Sequence, residues 1–351
     1  MTSKAIAIIG GVDTHAATHQ VAAIDDHGRL LGTAEFPATN HGYAELMCWL
    51  RRYGTLRSVG VEGTGAYGAG LARHLHANDI EVLEVPRPDR RLRRQHGKSD
   101  PIDAEAAARA VLAGTATAAP KFGTGPIEAV RALRVARSGA VKACTAAKNS
   151  LIALVVTAPE PLRSELSGLT TRQLVTTCSR LRPDPDRLDD PIQAVKAALR
   201  SIARRANELA AEADQLERQL AVLTQQVAPA TTAIFALGPD TAAALLVSIG
   251  DNPDRLRSEA AFARLCGVAP IPASSGKTNR HRLHRGGDRS ANRALHIAVI
   301  VRMRYCPKTH AYVTRRTADG LSKPEIIRCI KRYLAREVFT ALRSDILAMA
   351  P

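Results

Sequence analysis

AIAIIGGVD (residues 5–13) is a short apolar run that closes on an aspartate, and it reads as a buried strand with an acid at its end. Outward from it, HQVAAID (19–25) and RLLGTAEF (29–36) are two further strand patterns joined by a DHG turn, which predicts a hairpin. GYAELMCWLRRY (42–53) has helical spacing, with Leu46, Trp49 and Leu50 on one face. LRSVGVE (56–62) is another strand pattern ending in an acid. AGLARHLHAND (69–79) reads as helix and IEVLEV (80–85) as strand. PIDAEAAARAVLAG (101–114) reads as a helix opened by proline and closed by glycine. The order β-β-β-α-β-α-β-α, taken with the positions of the acids, predicts an α/β ribonuclease-H-like fold for residues 1–115.

The acids carry the chemistry. Asp13 ends the first strand pattern and Glu62 the fourth, so neighbouring strands would bring both to one sheet edge. Asp100 and Asp103 are three apart at a helix start, which stacks them on one face. Four carboxylates held together repel unless a cation neutralises them. Hard oxygen ligands suit Mg²⁺, and a pair of such ions about 4 Å apart stabilises both oxygens of a phosphodiester exchange. Each acid also has an ordinary local role. Asp100 before Pro101 suits a helix N-cap, Asp103 is a favourable first-turn charge, and Asp13 and Glu62 would serve as solvated strand ends.

Composition names the partner class. Of 351 residues, 45% are hydrophobic but only 3% aromatic, so the cores are built from Ala, Leu, Val and Ile. The net charge of +16 points to a polyanion, nucleic acid before an acidic membrane surface. No continuous apolar run reaches the roughly 18 residues of a membrane span, and no signal-peptide pattern opens the chain. Six cysteines without a CxxC pair read as buried thiols in a reducing cytoplasm.

After a linker at TATAAPKFGTGP (115–126), residues 127–157 read as a basic helix, and 158–191 as irregular chain. Val195, Leu199, Ile202, Ala206, Leu209, Ala213, Leu216, Leu220, Leu223 and Val227 then recur at alternating steps of four and three. That is a coiled-coil seam, through which protomers would self-associate; a helical hairpin within a bundle has the same pattern. Three parts follow: a ribonuclease-H-like domain (1–115), a linker, helices and coiled-coil insert (116–228), and a mainly α, basic domain (229–351).

Between Lys277 and Arg343 there are 17 Lys/Arg and 4 Asp/Glu, a net of +13. Within LGPDTAAALLVSIGD (237–251), a Gly-Pro turn before a short apolar helix suits either a phosphate-holding helical hairpin or a plain connection. Further on, Pro270 and Pro272 exclude regular helix, and Ser274 and Ser275 precede Gly276, Lys277, Arg280, Arg282 and Arg285. A serine becomes a useful nucleophile when its alkoxide is stabilised and the phosphate is neutralised. The cations supply the second condition, although Ser-Ser-Gly is also an ordinary turn. His281, His284 and His296 read as phosphate contacts or loop polar groups, and Tyr305, Tyr312 and Tyr333 as core packing.

GVDTH (11–15), VGVEGTGAYG (59–68) and KSDPIDA (98–104) resemble the three motifs of the DEDD transposases of the insertion-sequence 110 family. The C-terminal family pattern is matched by Gly267, Pro270, Ser275, Gly276, Gly287 and Leu295. Two departures are visible: Ala16 where lysine is common, and Gly68 where an aromatic is frequent. The resemblance implies a RuvC-like domain whose metal tetrad is Asp13, Glu62, Asp100 and Asp103, with Ser275 as the attacking serine and Ser274 as its runner-up. It implies strand exchange between donor and target DNA in a bacterial, nucleoid-associated setting, guided by an element-encoded structured RNA. A covalent phosphoserine intermediate and Mg²⁺ belong to that implication. A resolvase-like nuclease in which water attacks, and a non-catalytic nucleic-acid scaffold, are the competing expectations.

Overall fold

The protein's structure, a computed structural model, describes residues 6–86, 99–252, 256–274 and 281–349. The strands are β1 (Ala7–Thr14), β2 (Thr18–Asp25), β3 (Leu30–Pro37), β4 (Thr55–Glu62) and β5 (Glu81–Val85). Helix α1 (Asn40–Arg51) precedes β4, α2 (Ala69–Ala77) follows it, and α3 is Asp100–Leu112. The elements come in the expected order and form one sheet, β3-β2-β1-β4-β5. The pairs β1–β2 and β2–β3 are antiparallel, while β1–β4 and β4–β5 are parallel. This mixed sheet agrees with the ribonuclease-H-like expectation.

Side-chain alternation along the strands explains the two faces. On one face Val12, Val59 and Val61 pack against Leu46 and Leu50 of α1 and Leu71 and Leu75 of α2. Trp49 is only partly buried; its ring meets Phe36 and Tyr53 edge-on beside that core. The opposite face receives α3, through Ile9, Ile24, Ala107 and Ala108. Gly11 and Gly60, in register on β1 and β4, set how closely it lies. A Cβ on Gly11 would land on the Ala104 carbonyl and the Ala108 amide, and one on Gly60 would meet Ala107 and Val111. Two glycines therefore let helix backbone rest on sheet backbone.

Beyond the sheet the described residues are mainly helical. The helices are α4 (Pro126–Val156), α5 (Leu162–Leu166), α6 (Thr171–Ser179), α7 (Pro191–Val227), α8 (Pro229–Thr232), α9 (Pro239–Ile249), α10 (Glu259–Leu265), α11 (Arg289–Tyr305), α12 (Pro307–Ala318) and α13 (Lys323–Met349). A two-residue ribbon pairs β6 (Ile271–Pro272) with β7 (His281–Arg282). By packing, the chain forms two compact units. One comprises Met1–Glu128, Ser248–Asn292 and Arg328–Pro351; the other comprises Ala129–Val247 and Arg293–Ile327.

In the second unit, the stretch expected to be irregular contains α5 and α6. Helix α6 begins with a reciprocal capping box between Thr170 and Gln173, a Thr-x-x-Gln signature readable in the sequence. Helix α7 spans the whole heptad stripe, and Asp190 caps it by accepting the Ile192 N–H at 2.9 Å. Its Leu199, Ala203 and Ala206 pack with Ala147, Leu151 and Val155 of α4 and with Leu174 and Cys178 of α6. The stripe splits into two series. Leu199, Ala206, Ala213, Leu220 and Val227 are buried, whereas Val195, Ile202, Leu209, Leu216 and Leu223 are only partly covered. By length and composition α4 is apolar enough to cross a membrane, yet its Ala147, Leu151 and Val155 belong to this protein core. The cysteines are all free; Cys144, Cys178 and Cys266 are buried as expected, but Cys48 is exposed on α1.

Candidate active site

Because side chains alternate along a strand, Asp13 shares the face of Gly11, and Glu62 that of Gly60. Both acids thus project on the side that α3 covers. Ala104 and Ala108 lie over Gly11, so the helix runs antiparallel to β1 and its first turn arrives at the strand ends. That turn carries Asp100 and Asp103. Ser99, not Asp100, is the N-cap residue, in extended backbone with φ −146° and ψ 145°. Asp100 is therefore released from the capping role open to it in the sequence, and its carboxylate meets His15 instead.

His15 Nε2 lies 3.3 Å from Asp13 Oδ2 and 3.4 Å from Asp100 Oδ2. The three ligating atoms all fall within 4.8 Å of one another. Glu62 and Asp103 stand outside that trio, and each is 6% exposed, so Glu62 is not a solvated strand end. Thr14 Oγ1 donates to the Glu62 main-chain oxygen at 2.8 Å, tying the ends of β1 and β4 together. Burial raises the Asp13 carboxyl above its ordinary range; His15 opposes the shift, and the charges of Asp103 and Asp100 add to it. A cation bound here would relieve that accumulated negative charge. The donor set fits one, since neighbouring ligands about 2.1 Å from a metal lie about 3 Å apart.

The second expected site is described in part. Ser275, Lys277 and Arg280 lie outside the described residues. Ser274, Arg282 and Arg285 are exposed. The ribbon places Pro272 opposite His281, closing the chain on both sides of the serine segment. Flanking the ribbon in sequence, Gly267 (φ 63°) and Gly287 (φ 96°) occupy left-handed backbone. A Cβ on Gly287 would be 2.6 Å from the Leu265 carbonyl and 2.7 Å from the Gly267 nitrogen. Asn292 Nδ2 donates to the Cys266 carbonyl at 2.8 Å and to the Gly267 carbonyl at 3.1 Å. Asp288 Oδ1 accepts the N–H groups of Ser290 and Ala291, which starts α11. Burial pushes the Cys266 thiol up to about 12 and the Lys331 ammonium down.

Two expectations need correction. Tyr305 and Tyr333 are not core residues, being 59% and 50% exposed. Each lies beside an arginine: Arg304 is 5.3 Å from the Tyr305 ring centre, and Arg336 5.8 Å from that of Tyr333. An aromatic ring with a polar edge is stable at the surface when a cation covers its face. His15, part of the GVDTH motif, has no place among the metal ligands expected from the sequence, although it lies two residues beyond Asp13 at a strand end, the spacing that returns a side chain to the same face. Asn292 and Lys331 carry no local signal, because they meet only through tertiary packing.

Two family models match the chain. One, described as Transposase and of the DEDD, IS110 type, covers residues 10–158; the other, Transposase IS116/IS110/IS902 family, covers residues 230–314. A similar protein is the "Insertion element IS110 uncharacterized 43.6 kDa protein" of Streptomyces coelicolor, 32% identical over 132 residues. That match spans 36% of this chain and 32% of the relative's length. The first matched segment takes in all four acids and His15, and its DEDD family implies a divalent metal. The second takes in the ribbon and the paired glycines. With both its acid-bearing sheet and its basic C-terminal segment matched to one lineage, the chain belongs to the insertion-sequence 110 family of transposases.

Proposed function

We propose that this chain is the strand-transfer enzyme of a mobile element. It exchanges strands between donor and target DNA, guided by a structured RNA that the element encodes, in the bacterial cytoplasm at the nucleoid. The observation that carries the proposal is the arrival of β1, β4 and the first turn of α3 at one place, with Asp13, Asp100 and His15 within 4.8 Å. In this reading Asp13, Glu62, Asp100 and Asp103 hold Mg²⁺. When bound, the ion supplies charge stabilisation to the phosphodiester oxygens.

The remaining chemistry belongs to the chain. Lys277, Arg280, Arg282 and Arg285 neutralise and orient the phosphate. The Ser275 oxygen forms the new bond to phosphorus as the bond to a deoxyribose oxygen breaks, and that oxygen takes up the proton serine gives up. The serine ester conserves the bond energy needed for rejoining. The exposed Arg–Tyr pairs suit contact with bases and phosphates. The half-covered series on α7 supports pairing with a second copy, an arrangement compatible with a site composed within one protomer or between two.

Asp103→Asn tests the metal reading. The variant is expected to fold and bind nucleic acid but to lose strand exchange, and to lose the rise in melting temperature that Mg²⁺ gives the wild type. Full recombination by this variant at ordinary Mg²⁺ would remove the metal site from the mechanism.

A further inference from the structure

We infer that His15 is a nitrogen ligand of the metal centre, and that this nitrogen gives the centre a preference for Mn²⁺ over Mg²⁺. The inference rests on the metal-site reading above and adds a residue outside the four acids. Position comes first. The His15 N–H donates to the Thr18 carbonyl at 3.0 Å, closing the β1–β2 turn and fixing the backbone from which the ring projects. Thr14, between His15 and Asp13, is tied to β4 through the Glu62 carbonyl. The ring thus stands on a rigid base.

The imidazole is 47% exposed, yet Nε2 faces inward, between carboxylates contributed by β1 and by α3. Its separations of 3.3 and 3.4 Å from the two oxygens are close to the spacing of adjacent ligands on one ion, about 3 Å. With all three ligand atoms within 4.8 Å of one another, a modest adjustment of the carboxylates makes the trio ligands of one ion, with the solvent side left for water and a phosphate oxygen. Mg²⁺ favours an all-oxygen octahedron and keeps its waters. Imidazole nitrogen suits transition metals, so a centre that includes it discriminates in their favour. A histidine that merely bridged two acids by hydrogen bonds would be displaced by the ion and would leave no nitrogen on it.

Pulsed electron paramagnetic resonance on the full chain loaded with Mn²⁺ is the direct test. The wild type is expected to bind Mn²⁺ with a ¹⁴N coupling of directly bound imidazole, and His15→Ala to lose that coupling while melting as the wild type does. Loss of an outer-shell partner already weakens metal binding at least about 10-fold. Displacing Mn²⁺ from the wild type should therefore require at least about 10-fold more Mg²⁺ than displacing it from His15→Ala. Mn²⁺ bound without nitrogen coupling, or with a coupling unchanged in His15→Ala, overturns the role of His15 and leaves the carboxylate site standing. Absence of Mn²⁺ binding to the wild type, or binding unaffected by Asp103→Asn, overturns both.

Discussion

Lys331 Nζ donates a 2.7 Å hydrogen bond to Asn292 Oδ1, and the amide of Asn292 in turn holds the Cys266 and Gly267 carbonyls. One side chain from α13 and one from α11 thereby fix the turn from which the ribbon departs. Asn292→Ala strands a buried ammonium and two carbonyls at once. Each buried unsatisfied group costs about 1–3 kcal/mol, so the variant should lose at least about 2 kcal/mol in urea unfolding. Lys331→Met removes the desolvated cation together with its bond and should cost less, about 1 kcal/mol. Equal losses in the two variants would show that the ammonium itself, rather than the amide, organises the turn.

Gly11 makes a sharper case in the sheet. In Gly11→Ala the methyl would overlap the Ala104 carbonyl and the Ala108 amide, and backbone cannot rotate away as a side chain does. Helix α3 must lift from the sheet, carrying Asp100 and Asp103 off the strand ends. Overpacking of this kind costs about 1–3 kcal/mol, and Mn²⁺ affinity should fall with it. Gly65→Ala is the control, since nothing lies within 4 Å of its Cβ. Equal metal affinity in Gly11→Ala and the wild type would separate the helix position from the site.

The sheet was legible because each strand and helix of residues 1–115 carries its own period, and the acids fall where those periods stop. The seating of α3 was also present in the sequence, in the Gly-x-Asp of β1 and the Gly-x-Glu of β4, but its meaning depends on strands 1 and 4 being neighbours. The heptad stripe predicted α7 and left its partner open. The structure seats Leu199 and Ala206 on α4 and α6 of the same chain, a pairing that no local pattern encodes. The sequence assigns His15 no metal role because its two carboxylate neighbours, Asp13 and Asp100 on α3, lie 87 residues apart in the sequence.

Thiol chemistry should sort the cysteines by environment. Burial pushes the Cys178 thiol up to about 11 and that of Cys266 up to about 12, whereas the Thr309 hydroxyl beside Cys306 draws its value down. Since the thiolate is the nucleophile, Cys306 should be alkylated at mild alkaline pH long before Cys178 or Cys266. The raised values also fix a sign: the unfolded chain releases those two protons near 9.0 and the folded chain does not. Stability is therefore full below that pH and declines as pH climbs toward the folded values. Peptide mapping after timed alkylation checks the order, and early labelling of Cys266 would contradict its burial.

Self-association should run through the partly covered series on α7. Leu209 and Leu216 belong to it, whereas Ala206 and Ala213 face the chain's own core. Leu209→Lys with Leu216→Lys is expected to dissociate the assembly while leaving the monomer folded, as followed by sedimentation and circular dichroism. A wild type that sediments as a monomer at micromolar concentration, with and without nucleic acid, would assign the whole stripe to the intrachain bundle.

Ser275, not water, is expected to attack the DNA. Rejoining without an external energy source requires the cut end to stay covalently attached, and hydrolysis discards that bond. In the proposed reading the acids beside His15 hold cations and offer no side-chain nucleophile for the task, so the nucleophile would come from elsewhere in the chain. The described residues on either side of the serine segment supply part of what such a group needs. Arg282 and Arg285 are exposed on its C-terminal side, and the ribbon from Ile271 to Arg282 brackets it. The glycine pair and the Asn292–Lys331 contact hold the base of that ribbon in place. Ser275→Ala should bind nucleic acid as the wild type does, yet form neither a covalent adduct nor a recombinant. Trapping the reaction on nicked suicide DNA and mapping the modified peptide locates the residue. An adduct on Ser274 would move the assignment by one position, and robust recombination by the Ser274→Ala, Ser275→Ala double variant would leave water as the attacking group.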